Sequence, residues 1–245
     1  MKIVFHKKYF DVYSGDPASA EGRLDSSYEV LKEEFEFVRP TAASEADLQL
    51  VHTLDHIERI KRDDHLYEVA TLAAGGAIFA SELAVKEGAA FGLIRPPGHH
   101  ASPASCWGFC FFNNIAIAVK KLLSSAQAGK VLIVDFDLHF GDGTDNTFRG
   151  EPSVIYHHME SRVEDLSTYL DGSGNFDILA VSAGFDRGIA DWGGSLRDSD
   201  YQKLGALLKE FSKRHCGGKR FAVLEGGYNH QTLGRTMQTF LKAFR

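Results

Sequence analysis

The chain has 245 residues, with 27 Lys+Arg against 33 Asp+Glu for a formal charge of −6, and 44% of its residues are hydrophobic. That composition excludes a disordered, collagenous or coiled-coil chain, and an acidic balance with no basic run argues against nucleic acid as a direct partner. No uninterrupted apolar stretch reaches the ~18 residues of a membrane helix, the N-terminal apolar run is too short for a secretory signal, and three cysteines are too few for a disulfide framework, so a cytoplasmic chain with no membrane partner is expected.

Short apolar runs recur, separated by helix-length segments. In order they are Ile3–Phe5, Phe91–Ile94, Val131–Val134, Val154–Tyr156, Ile178–Val181 and Phe221–Leu224. Each is apolar at consecutive positions, the pattern of strands buried on both faces in a parallel sheet. Residues 66–86 carry Leu66, Val69, Ala70, Ala73, Ile78 and Leu83 at mostly helical spacing. Ser199 to Gln202 has the signature of a capping box ahead of Leu204, Leu207, Leu208 and Phe211, and residues 229–244 close the chain as a further helix. Strand–helix alternation over the whole length predicts one α/β domain, residues 1–245, with three layers and a central, mostly parallel sheet flanked by helices.

In such sheets ligands sit beyond the carboxyl ends of the strands. Four successive runs end in chemistry: Arg95 to His100, Asp135 to Gly143, Ser182 to Asp186 and Glu225 to Tyr228. Asp137 and His139, two apart on an extended strand end, point the same way, and Asp186 from a neighbouring end adds a third ligand. Three protein ligands with an open fourth position describe a catalytic zinc site. Two carboxylates and one imidazole make a harder donor set than the usual His-rich one, so Fe(II) or Co(II) also suits it. His99 and His100 suit general base and general acid work on a water molecule, each needing a carboxylate behind it, with Asp135 and Asp142 nearby. Tyr228 is placed to donate its hydroxyl to a developing oxyanion. The remaining histidines read mostly as structural or solvated. A competing signal is Ala180 to Gly184, a degenerate nucleophile elbow in which Ser182 would act with Asp191 and His215 or His230 as a serine hydrolase.

Arg95-Pro-Pro-Gly-His-His100, Gly108-Phe-Cys-Phe-Phe-Asn-Asn114, Val134-Asp-Phe-Asp-Leu-His139 with Gly141-Asp-Gly-Thr144, Ser182-Ala-Gly-Phe-Asp186 and Glu225-Gly-Gly-Tyr228, in this order, resemble the histone deacetylase family. The resemblance implies the arginase–deacetylase fold and a zinc-dependent amidohydrolase acting on an acetylated amine, either a protein lysine or a small molecule. It makes Asp137, His139 and Asp186 the metal ligands. It pairs His99 with Asp135 and His100 with Asp142, and gives Tyr228 the polarisation of the acetyl carbonyl. Gly108 and Phe109 become the substrate tunnel wall, Trp192 a rim residue narrowing the entrance, and Arg23 the lining of an internal acetate channel. The chain departs from the pattern in loops shortened around residues 10–25, 60–68 and 158–175. That implies a more open site, one that a second subunit of a homo-oligomer could complete. Phe140 stands where many members have a second histidine. His158 replaces the usual serine beside a structural monovalent cation, which puts potassium in doubt there. A further alternative is an acyl-amine binding protein that has lost turnover through its shortened loops.

Overall fold

The computed structural model describes residues 1–245. Seven strands form one sheet: β1 (Lys2–Val4), β2 (Glu36–Val38), β3 (Ala89–Gly92), β4 (Val131–Asp135), β5 (Val154–His158), β6 (Ile178–Ala183) and β7 (Arg220–Leu224). All pairings are parallel, in the order β2-β1-β3-β7-β6-β4-β5. The central strands β3, β4, β6 and β7 are buried along their whole length, as consecutive apolar residues require. Six of the seven correspond to the apolar runs. The seventh, β2, is an edge strand of three residues, Glu-Phe-Val, partly exposed and too short to carry a period. Strand β3 pairs over Ala89–Gly92, two residues ahead of the apolar run. The ladder carries on through Leu93, whose N–H donates to Val4 O at 3.0 Å.

Nine α-helices fill the connections: α1 (Asp25–Lys32), α2 (Glu45–Leu48), α3 (Leu54–Ile60), α4 (Asp64–Glu87), α5 (Asn114–Ser124), α6 (Asp142–Phe148), α7 (Val163–Asp171), α8 (Asp198–His215) and α9 (Leu233–Phe244). One group packs α4 with α5; the other packs α1, α8 and α9, with α7 against α8. By length and hydropathy alone α4 would pass for a membrane span, yet 78% of that window is buried, and the helix lies against β1, β3 and β7. Asp63 caps it by accepting Leu66 N–H at 3.0 Å, and Gly88, at φ +94°, ends it.

Two helix starts differ from expectation. Ser199 does not cap α8; the helix begins at Asp198, and the Asp200 carboxylate accepts the Arg197 N–H at 3.0 Å. Acidic residues in the first turn, Asp198 and Asp200, favour that start electrostatically. The last helix starts at Leu233 rather than at 229, because the Asn229 side chain accepts Gln231 N–H at 3.0 Å and Thr232 N–H at 3.3 Å, fixing a turn there.

Candidate active site

The four chemistry-bearing strand ends are contiguous in space. Strands β3, β7, β6 and β4 are neighbours, so His99 and His100, Glu225 to Tyr228, Asp186, and Asp137 with His139 reach one edge of the sheet. All eleven candidate residues lie in that region or, for Trp192, on its rim.

The ligand atoms of Asp137, His139 and Asp186 all lie within 4.8 Å of one another. His139 Nδ1 is 3.3 Å from Asp137 Oδ1 and 3.3 Å from Asp186 Oδ2. A tetrahedral site with ligands ~2.0–2.1 Å from its centre has edges of about 3.4 Å, so these spacings suit one small divalent ion. The other lone pairs are already used. Asp137 Oδ2 accepts Gly226 N–H at 2.8 Å, Asp137 Oδ1 accepts His139 N–H at 3.0 Å, and Asp186 Oδ1 accepts Leu138 N–H at 3.1 Å. Asp186 Oδ2 is buried and has no hydrogen-bond partner. A buried carboxylate oxygen left without a donor is costly unless a cation meets it. The residues therefore fit the metal.

The electrostatics agree. Burial and the like charge of Asp137 push Asp186 up to about 6. Hydrogen bonding to Asp137 and the Asp186 carboxylate, 3.3 Å away without hydrogen-bond geometry, raise His139 to about 9. A proton on His139 thus occupies the charge balance that a cation would take over. Gly226 makes this crowding possible: a Cβ there would lie 2.6 Å from Asp137 Oδ2 and 2.7 Å from Asp186 Cγ.

Behind the cluster stand two His–Asp pairs, matched as the resemblance implies. His99 Nδ1 lies 3.0 Å from Asp135 Oδ2 and His100 Nδ1 lies 2.7 Å from Asp142 Oδ1. A carboxylate only accepts, so each Nδ1 carries the hydrogen and each Nε2 faces the site. The two environments differ. Burial lowers His99, but the facing carboxylates Asp137 and Asp135 outweigh it and hold the ring well above the usual histidine range; a divalent cation beside Asp137 opposes that pull. Burial, then His99, lowers His100 to about 4 against the attraction of Asp142. His100 is therefore neutral at pH 7 and able to accept a proton.

Trp107 completes the second pair. Its indole lies against His100, tilted by 35° with ring centroids 3.9 Å apart, and its Nε1–H donates to Asp142 Oδ1 at 3.1 Å and Oδ2 at 2.9 Å. The indole shields the ring and competes with it for the carboxylate, so both effects lower His100. Trp107→Phe should raise the His100 pKa by on the order of one unit. A base works only when neutral, so activity would be lost at higher pH as the solution is acidified. The check is the acidic limb of the kcat/KM profile; a limb that does not move refutes the coupling.

A cavity of about 100 Å³ lies between His99, His100, His139, Gly108, Phe109 and Tyr228, with Trp107 and Trp192 at its mouth. Its wall turns through the left-handed region, with Gly108 at φ +61° and Phe109 at φ +68°. A Cβ on Gly108 would lie 2.5 Å from His100 Cδ2, so no side chain fits. The non-glycine Phe109 accepts a left-handed backbone costing ~1–3 kcal/mol and turns its ring edge-on to Tyr228 at 5.8 Å. Tyr228 stacks on Trp192 at 4.1 Å, and Trp192 is 53% exposed. Burial raises the Tyr228 phenol far above its ordinary range, keeping it a donor. Asp191 ties the two loops together, accepting Tyr228 N–H at 2.8 Å, Asn229 N–H at 2.7 Å and Trp192 N–H at 2.8 Å.

The serine-nucleophile alternative is not assembled. Ser182 is fully buried and donates to Glu225 Oε1 at 3.1 Å, Asp191 serves the backbone contacts just described, and His215 pairs with Asn175 Oδ1 at 3.1 Å. His52 and His56 are structural, as expected: His52 Nε2 accepts Asn113 N–H at 2.9 Å, and His56 Nε2 donates to Phe111 O at 2.7 Å. Arg23 is buried and donates to Gly227 O at 2.8 Å and Glu225 O at 2.6 Å, with its guanidinium 5.1 Å from the Tyr228 ring centroid.

Besides Trp107, sequence reasoning missed two further supports. Glu225 is fully buried, pushed up to about 7 by that burial, and accepts Gly98 N–H at 2.7 Å and His99 N–H at 3.2 Å. Tyr156 donates to Asp135 Oδ2 at 3.0 Å, fixing the acid behind His99. Their signal was thin: a glutamate opening a glycine turn, and an aromatic inside a strand.

Comparison with known proteins fits this geometry. The family model described as "Histone deacetylase domain" matches residues 18–165 and 175–244. A "Probable deacetylase" of Methanothermobacter thermautotrophicus is 30% identical over 263 residues, covering 84% of this chain and 78% of that protein. A "Histone deacetylase-like amidohydrolase" of Pseudomonas aeruginosa is 29% identical over 245 residues, covering 76% of this chain and 64% of that protein. The crystal structure of the HDA15 HD domain superposes with a TM-score of 0.85 at 22% identity, covering 99% of this chain and 88% of the other, and shares the fold.

Proposed function

The chain belongs to the histone deacetylase family, and on that premise we propose that it is a zinc-dependent amidohydrolase removing an acetyl or short acyl group from a primary-amine nitrogen. The observation that carries the reading is the partnerless buried oxygen of Asp186, facing His139 and Asp137 in front of two His–Asp pairs. Asp137, His139 and Asp186 would hold the ion, which supplies polarisation of the amide carbonyl and a water acidified toward pKa ~7.

The protein's own groups do the rest. His100 Nε2 accepts the proton of the attacking water, with Asp142 stabilising the imidazolium that forms. Tyr228 donates its hydroxyl hydrogen to the oxygen that gains charge. His100 then returns its proton to the amine nitrogen as the C–N bond breaks, leaving acetate and a free amine. His99, held by Asp135 and Glu225, keeps positive charge near the carboxylates. The small cavity limits the acyl group, and the aromatic mouth suits the methylenes of an acetyl-lysine or acetylpolyamine chain.

The test is a hydrolysis panel of acetyl-lysine peptides, acetylpolyamines and longer acyl amides, on protein loaded with Zn(II), Co(II) or Fe(II) and on a chelated control. Turnover of an acetylated amine that the chelator abolishes and metal restores is expected, with rates falling as the acyl chain lengthens. Bound metal without hydrolysis of any amide would favour the binding-protein alternative instead.

A further inference from the structure

Structural potassium does not fit the place beside His158 to which the resemblance would bring it. Four carbonyls converge behind the Asp137–Asp186 cluster: those of Phe136 and Asp137 on the loop leaving β4, and those of Met159 and Glu160 on the loop leaving β5. Arg187 fills the point where they meet. Its Nε donates to Phe136 O and Asp137 O, both at 3.0 Å, its Nη1 to Glu160 O at 3.1 Å, and its Nη2 to Met159 O. Nη2 also donates to His158 Nε2 at 3.2 Å, so the residue replacing the expected serine receives a hydrogen bond and does not coordinate an ion. The Arg187 residue is 4% exposed.

Converging carbonyls place the negative ends of several dipoles together, and such a cage holds only around positive charge. A guanidinium has five donors in a rigid fork and never loses its proton, so it can meet several carbonyls at once. Asp186 and Arg187 lie in the turn that follows β6. Asp186 turns to the metal cluster, and Arg187 turns behind it. We infer that Arg187 is a tethered internal cation that replaces a monovalent metal ion, clamping the Asp137 loop to the β5 exit and so positioning the metal ligands. The backbone carbonyl of buried Asp137 is thus held by a positive charge that no salt has to supply.

The metal-affinity part of this inference rests on the ligand reading above; the rest does not. Wild-type protein without divalent metal is melted in potassium, sodium or tetramethylammonium chloride at equal ionic strength, and its Co(II) affinity is titrated in each. Superimposable melts and equal affinities are expected. Arg187→Ala should melt on the order of 10 °C lower and bind Co(II) roughly 10–100-fold more weakly, with both defects partly recovered by potassium or millimolar guanidinium. Arg187→Lys should fall between the two and ignore the added cation. Saturable stabilisation of the wild type by potassium would overturn the inference. So would an alanine variant with unchanged Co(II) affinity, or one whose losses no small cation recovers. If the alanine variant does not fold, the wild-type melts and the lysine variant decide. If the wild type binds no Co(II) at all, the ligand reading fails, while the melts still judge Arg187.

Discussion

Asp186→Asn is expected to abolish tight metal binding and turnover while leaving the metal-free fold intact or firmer. Removing a direct ligand should cost more than the 10–100-fold typical of a residue behind one. The stability outcome follows from sign. Asp186 is raised to about 6 in the folded protein, so its ionised form is disfavoured there, and the penalty is present above that pH. Asparagine removes the charge and its repulsion with Asp137. The metal-free variant should therefore melt at or above the wild type at pH 8, and added metal should no longer raise its melting temperature. The wild type has a second signature. His139, raised to about 9, must give up its proton to become a ligand. Apparent metal affinity should then rise by roughly tenfold per pH unit up to about pH 9 and level off beyond it. Co(II) titrations from pH 6 to pH 10 check this. A flat profile, or full affinity in Asp186→Asn, would remove Asp186 and His139 from the ligand set.

Tyr228→Phe should cut kcat by about 10²–10³, roughly 2.7–4 kcal/mol of transition-state stabilisation, with metal affinity unchanged. The Tyr228 backbone is held by Asp191, and its ring by Trp192 and Phe109. None of those contacts uses the hydroxyl, which makes no hydrogen bond within the protein, so the variant should melt with the wild type. KM should change little, because the donor is needed where charge develops and not in the ground state. Full activity in the phenylalanine variant would show that the oxyanion is stabilised elsewhere.

Why these residues could be found without coordinates is a matter of local pattern. Runs such as Val131–Val134 and Ile178–Val181 are apolar at consecutive positions because both faces of a parallel strand are covered, and the candidate ligands sit just past them because such strands end at the ligand-binding edge. Asp137 and His139, expected to share a face of an extended strand end, lie in a bend past β4, where the Asp137 carboxylate accepts His139 N–H at 3.0 Å and holds the two together. Where local pattern is short or shared, expectation slipped: three residues of β2 show no period, and the α8 cap lies with Asp200 because acidic residues crowd that helix start.

The chain alone determined the parallel α/β class and the four strand ends that bear chemistry, and it marked the three candidate ligands, since each apolar run and the residues just past it are written locally. The tertiary structure decided what depends on distant segments meeting. It set the spatial order β3-β7-β6-β4, which gathers those ends, and brought His99 to Asp135 and His100 to Asp142, contacts that the resemblance implied and residue spacing left open. It also gave Glu225, Tyr156 and Arg187 their partners: backbone groups and carboxylates from other loops, whose directions no residue pattern records, because a carbonyl belongs to every amino acid alike.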